Sequence, residues 1–396
     1  MELFKQKLAW FSLGIVLIVL VVFGAALMGS VAGSKPKNLP VALVVEDQPA
    51  QMPGGGALAV GEDLGGKLES NTALPVAWVR VDSEEEARTG LNNREYYGAL
   101  VLPADLSRGL LSLATPEPKP ATVTVLVNEG MNTQASALVR QILNQAMNRA
   151  SAELGGQLLK QIGQKTGQIP VGTAQALLAP LIVKEEIVHP VGVNNAAGNA
   201  PGILVQLMWV GSLATAAILF LASRKPVLAA AKKWAMAGAQ AAFGAAIAGA
   251  TSGFVVWMAA SWYGMELASA GAVWLFLWLI GAAFFLLQSA LLNWIGVPAM
   301  ALLVLLMFFS MPLLNMAPEL LSQGTKDWIY SWTPMRYAAV GLREVMYFGG
   351  WDTADRNATV LWSIAGAFLV LLLASGSKKA KAAKEKLDVA APAMNP

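Results

Sequence analysis

The sequence predicts a polytopic α-helical membrane protein of six spans, with an α/β domain inserted between the first and second. Three observations predict it. Leu8–Met28 is an unbroken apolar run with no charge, as long as the roughly 20 residues a spanning helix needs. Residues 201–376 contain further runs of the same kind. Between them, residues 33–200 are polar and numerous enough to fold away from lipid. Composition agrees: only 13% of the 396 residues are charged, against about 25% in a soluble domain.

The spans read as Leu8–Met28, Ile203–Ser223, Trp234–Trp262, Ala272–Asn293, Val297–Met316 and Ala358–Ser375. The first is longer than the roughly 7–15 apolar residues of a cleaved signal, so it reads as an uncleaved anchor. Basic residues mark the cytoplasmic side. They cluster at Lys5 and Lys7, at Arg224, Lys225, Lys232 and Lys233, and from Lys378 to Lys386. All three clusters fall on one side only if the span count is even. Residues 1–32 are then a cytoplasmic tip and first span, 33–200 an extracytoplasmic domain, 201–376 a five-helix domain and 377–396 a cytoplasmic tail. Within the third span, Gly249 and Gly253 have GxxxG spacing, beside the row Gly238, Ala242, Ala246, Ala250. Small residues every fourth position let helices approach closely.

The inserted stretch alternates strand and helix. Leu39–Glu46 is a β-branched run, and Ala57–Asn71 is a helix or a loop and helix. Leu74–Val81 is a strand, and Asp82-Ser83-Glu84-Glu85 starts a helix with a cap and an acidic first turn. Tyr97–Leu102 is a strand, Asp105–Ala114 a short helix, Ala121–Val127 a strand, Asn132–Gly167 a long helix and Ile182–Val188 a last strand. Alternating units of this kind form a sheet layered with helices. Asn194–Gly202 reads as a linker back to the membrane.

The chemistry-bearing signals are few. Gly61–Leu68 nearly matches the phosphate-loop pattern, but Leu68 stands where a hydroxyl must hold magnesium. There is no Cys, and His189 is the only histidine, so thiolate metal sites are excluded and a histidine pair is impossible. No catalytic residue, cofactor or metal site is expected, and the net charge of +3 is too small to point to nucleic acid. Gln206, Gln240, Gln288 and Asn293 are the polar residues of the span interiors, with interhelical hydrogen bonds as their expected role. Residues 317–357 form an external aromatic-rich segment. Thr333 and Pro334 open a helix that carries Arg336 and Arg343 along one face; with Trp332 before it, this helix suits the membrane interface or a simple aromatic belt.

Several blocks resemble the YhgE/Pip domain: Leu39–Asp47, Val79–Asp82 with Glu84–Ala87, Tyr96–Ser107, and Val127-Asn128-Glu129 with Asn132. The membrane half, with Trp332-Thr333-Pro334 and Gly341-Leu342-Arg343 before the last span, looks like an ABC-2 type permease. The resemblance implies a bacterial cell-membrane exporter subunit, paired as a homodimer or heterodimer and powered by a separate ABC ATPase. The alternative it implies is a non-transporting surface receptor for phage, or a secretion accessory. ABC-2 permeases couple to the ATPase through the loop between the second and third spans. In this chain that loop holds Arg224, Lys225, Val227, Leu228, Lys232 and Lys233, with Pro226 set to open a brief helix.

Overall fold

A computed structural model describes residues 36–377 apart from 53–55, 114, 116–117, 167–170 and 225–232, together with Val21 and Gly24. The expected first span, most of the loop between the second and third spans, and the basic tail lie outside the described residues.

A five-stranded mixed sheet occupies the first half. Its strands are β1 (Leu39–Val45), β4 (Val76–Val81), β5 (Gly98–Leu102), β6 (Ala121–Asn128) and β7 (Leu181–Val188), in the order β4-β1-β5-β6-β7. β1 pairs in parallel with β4 and β5, β6 runs antiparallel to β5, and β7 is parallel to β6. A small hairpin of β2 (Ala50–Gln51) and β3 (Ala57–Leu58) stands apart. The helices are α1 (Val60–Ser70), α2 (Glu84–Asn92), α3 (Leu106–Ser112), α4 (Thr133–Thr166) and α5 (Val171–Leu178). Strand alternation divides the core in two. Leu39, Val41, Leu43, Leu100 and Leu102 join one cluster with α1, α3 and α4. Ala42, Val44, Ala99 and Val101 join the other with Ala87 and Leu91 of α2. Helices on both faces explain why β1 and β5 are apolar at every position.

Side-chain caps fix the turns. Ser83 accepts from the Glu86 amide at 3.2 Å and opens α2. Asp47, just after β1, accepts from the amides of Gly61 and Ser107, each at 2.8 Å, and so ties the starts of α1 and α3 together. The near-match to a phosphate loop is therefore the body of α1, with Gly61 seated on Asp47, and it offers no loop to a phosphate. At the sheet edges charges are exposed, Lys184 and Glu185 on β7 and Arg80 of β4 paired with Glu62, while Glu186 of β7 is half-buried and paired with Arg88. Such edges resist pairing with other chains.

The second half is helical: α6 (Ala200–Ser223), α7 (Lys233–Ser261), α8 (Ala270–Ile295), α9 (Pro298–Ser310), α10 (Pro334–Tyr347) and α11 (Asp355–Ala374). Among the described residues, four segments are long and apolar enough to cross a membrane: Ala200–Ser223, Lys233–Ser261, Ala270–Ile295 and Asp355–Ser377. The fifth expected span, Val297–Met316, is cut short. α9 has 13 residues, about 20 Å at 1.5 Å per residue, against about 30 Å of hydrocarbon. Pro312 lacks an N–H for the ladder, and the chain tightens there into a 3-10 turn, Met311–Leu313. It nevertheless returns to the sheet, because the Asn315 carbonyl accepts from Asn132 Nδ2 at 2.9 Å.

α8 is the central helix, with Phe276, Phe284 and Phe285 fully buried. Polar side chains tie it to its neighbours: Gln288 donates to the Trp209 carbonyl of α6 at 3.2 Å, and Asn293 to Gln240 of α7 at 3.2 Å. The chain alternates direction, so the two ends of the bundle differ. The starts of α6, α8 and α11 lie toward the sheet, where Trp351 donates to the Ala272 carbonyl at 3.2 Å. At the far end, Trp294 donates to the Leu371 carbonyl at 2.8 Å, and Gly376 lies against the Trp234 backbone. The segment just past α11 thus sits beside the start of α7.

Candidate functional site at the seam of sheet and helices

The two halves meet along α10, and the sequence explains why that helix is drawn in. Leu342, Val345 and Met346 are apolar and pack on α6, α8 and α11, while Arg343, Glu344 and Tyr347 turn toward the seam. Most of α10 is buried: protein covers the face that carries Arg343 and Glu344, while Arg336 and Tyr337 are half-buried. Trp332, just before α10, is 58% exposed, with its indole donating to the Trp328 carbonyl at 2.7 Å.

The seam is cross-linked by side chains far apart in sequence. Tyr97, preceding β5, donates its hydroxyl to Glu319 at 2.6 Å. Arg94 Nε lies 3.5 Å from Glu344, and its Nη1 donates to the Thr353 carbonyl at 2.9 Å. Glu344 also accepts from Asn357 Nδ2 at 2.8 Å. His189 contacts the Tyr347 carbonyl at 3.1 Å and the Asn92 side-chain amide at 2.8 Å, and its ring lies 4.3 Å from that of Phe348.

The expected linker Asn194–Gly202 is part of this seam. Asn195 is buried, accepting from the Tyr347 hydroxyl at 3.2 Å and donating to the Glu266 carbonyl at 2.8 Å. Gly198 has φ +81, and a Cβ there would lie 1.8 Å from Thr133 Oγ1. Only glycine meets both demands.

A cavity of about 390 Å³ opens in the seam. Its walls include Arg94 and Tyr97 from the sheet half, and Glu319, Arg336, Arg343 and Glu344 from the helical half. Arg336 and Arg343, seven residues apart, share the wall that α10 presents. Arg336 donates to the Tyr330 carbonyl at 2.8 Å, with the Tyr330 and Tyr337 rings 4.3 and 4.4 Å from its guanidinium carbon. Burial perturbs three groups of the seam, Glu344, Tyr97 and Tyr347. It raises the Glu344 carboxyl, opposed by Asn357 and Arg94. It raises Tyr97 well above 10, reinforced by Glu319, and Tyr347 to about 12.

The other residues singled out from sequence lie elsewhere. Gly249 and Gly253 sit under Trp278 and Trp274 of α8, and Trp274 donates to the Gly249 carbonyl at 3.0 Å. The row Gly238, Ala242, Ala246, Ala250 is not the packed one. Ala242, Ala246 and Ala250 face outward, and Ala237, Ala241, Gly244 and Ala248 are buried instead, because the α8 aromatics meet α7 one step further round. Arg224 lies over the Phe220 ring at 4.2 Å, and Lys233 is exposed. Lys225, Val227, Leu228 and Lys232 lie outside the described residues. Arg94, Tyr97, Glu319 and Glu344 were missed by sequence reasoning. The available signal was the adjacent charged pair Arg343-Glu344 between the apolar residues Leu342, Val345 and Met346.

A family model described as ABC-2 family transporter protein matches residues 8–374. No curated protein and no solved structure matches the chain.

Proposed function

The chain belongs to the ABC-2 family of transporter proteins, and from that premise we propose that it is the permease subunit of an exporter driven by a separate ATPase. The observation that carries this reading is the extent of the family match, which runs through the sheet and the helices alike. The permease acts as a pair, homodimeric or heterodimeric, in a bacterial cell membrane. Residues 33–200 stand outside, with the block order of a YhgE/Pip domain, and both termini stand inside. The three basic clusters support this sidedness, as does the bundle end where α11 finishes beside the start of α7. The ATPase docks on the loop from Arg224 to Lys233, and the apolar pair Val227 and Leu228 forms the contact.

The experiment is purification of the full chain in mild detergent with identification of co-purifying proteins. An ATPase accompanies the wild type. Val227→Asp with Leu228→Asp removes it while insertion and abundance hold. Retention of the ATPase by the double variant counts against this docking site. Absence of any ATPase partner from the wild type counts against the exporter and for a receptor or secretion accessory. Sidedness is read separately. The chain has no native Cys, so single cysteines at Ser83, Thr353 and Ala382 report without background. An impermeant thiol reagent labels the first two in intact cells and spares the third; labelling of Ala382 from outside overturns the topology.

A further inference from the structure

The seam cavity holds more positive charge than the protein neutralises. Arg94, Arg336, Arg343 and Arg356 line it, against Glu319 and Glu344. Both carboxylates are engaged, Glu344 by Arg94 and Asn357, and Glu319 by the Tyr97 hydroxyl. Arg343 is only 7% exposed, and among the described residues no carboxylate pairs with it. Its electrostatic neighbours are the phenols of Tyr347, Tyr97 and Tyr330. A guanidinium carries five N–H donors, and Nη1 of Arg343 donates to a neutral acceptor, the Gly198 carbonyl, at 3.2 Å.

A buried cation without a counter-charge is a cost that a leucine or methionine at the same place would avoid. The surroundings do not supply a structural reason for the charge, since Gly198 O alone is served by many uncharged donors. The cavity beside it supplies one. Arg336 stands on the same wall, its guanidinium held by Tyr330 and Tyr337, so two planar forks with limited freedom address one polar space. Planar forks of this kind match the paired oxygens of phosphate and carboxylate groups.

We propose that the seam cavity binds an oxyanion, a phosphate or a carboxylate, with Arg343 as the main ligand and Arg336 as the second. Two sources present this chemistry: the headgroup of an anionic lipid and a soluble anion. The site stands on its own geometry and is independent of any ATPase partner.

The test is thermal unfolding of the purified full chain in a neutral detergent, titrated with inorganic phosphate in one arm and with short-chain phosphatidic acid in the other. At least one arm raises the unfolding midpoint saturably. Arg343→Lys keeps the charge but not the fork, and moves half-saturation up by about tenfold. Arg336→Gln moves it in the same direction by less; it changes a half-buried residue and so remains readable if Arg343→Lys does not fold. A response to phosphatidic acid alone assigns the site to a lipid headgroup, and equal responses assign it to a soluble anion. No saturable response in either arm, or half-saturation unchanged in the variants that fold, overturns the proposal.

Discussion

In the sheet half, hydrogen bonds hold neighbouring strands at about 4.8 Å, whatever side chains they carry. In the helical half, only side-chain size decides how near α7 comes to α8. β1 and β5 are filled with Leu, Val and Ala on both faces. α7 instead presents Gly and Ala to the aromatic side chains of α8: Phe285 against Gly244, Trp278 against Gly249, Trp274 against Gly253. The difference teaches where each half is fragile. The sheet half loses stability when a side chain shrinks, and the helical half when one grows.

The largest effect expected from this comparison is at Gly244. A Cβ there would lie 2.0 Å from the ring of Phe285, which is itself fully buried. Gly244→Leu exceeds the about 1–3 kcal/mol typical of overpacking and is expected to abolish the monodisperse peak in size exclusion. A wild-type elution profile would show that the α7–α8 contact yields. Next comes shrinkage in the sheet. Leu100→Ala, at a fully buried position, lowers stability by about 2–5 kcal/mol. The same change at Leu302, on the outward face of α9 and 51% exposed, leaves the melting temperature near wild type, because lipid is as apolar as leucine. Equal losses at the two positions would erase the contrast.

Smaller effects sharpen it. Gly66 in α1 has open space where a Cβ would stand, so Gly66→Ala raises stability by about 0.5–1 kcal/mol through helix propensity, opposite in sign to Gly244. A lowered melting temperature would contradict the open space. The smallest effect is a pH slope at the seam. Burial, opposed by the Tyr347 carbonyl, holds His189 below its usual 6.5. Above that pH the ring is neutral in both the folded and the unfolded chain, and its contribution is fully present. As pH falls, the unfolded chain takes the proton first, so stability is lost from about pH 6.5 down through the lower folded value. Melts of His189→Gln across that window are expected to lack this slope, and an unchanged slope assigns it to other groups.

Much of the architecture was readable from local pattern. The apolar runs of α6, α7, α8 and α11, the strands β1 and β4 to β7, and the Ser83 cap lie within a few residues of where periodicity and turn chemistry put them. These signals are local: a run of apolar residues, a period of two, or a serine followed by acids states its own environment. Near a proline the pattern misled, since the apolar run through Met316 continues past the point where Pro312 ends regular α-helix.

By itself, then, the sequence determined which segments avoid water and with what period. Only the tertiary structure decided what faces what. Arg336 and Arg343 were visible as one face of a helix, but whether that face meets lipid, water or protein depends on the sheet half packed over α10. Tyr97 and Glu319 are 222 residues apart, and neither carries a local mark of the other. Which of the small residues on α7 lies inside was equally hidden, because Gly244 and Ala242 differ only in rotation about the helix, and the ring of Phe285 on another helix makes the choice. Burial along one segment follows from its own composition, whereas a cavity between segments follows from the approach of side chains that the chain order keeps apart.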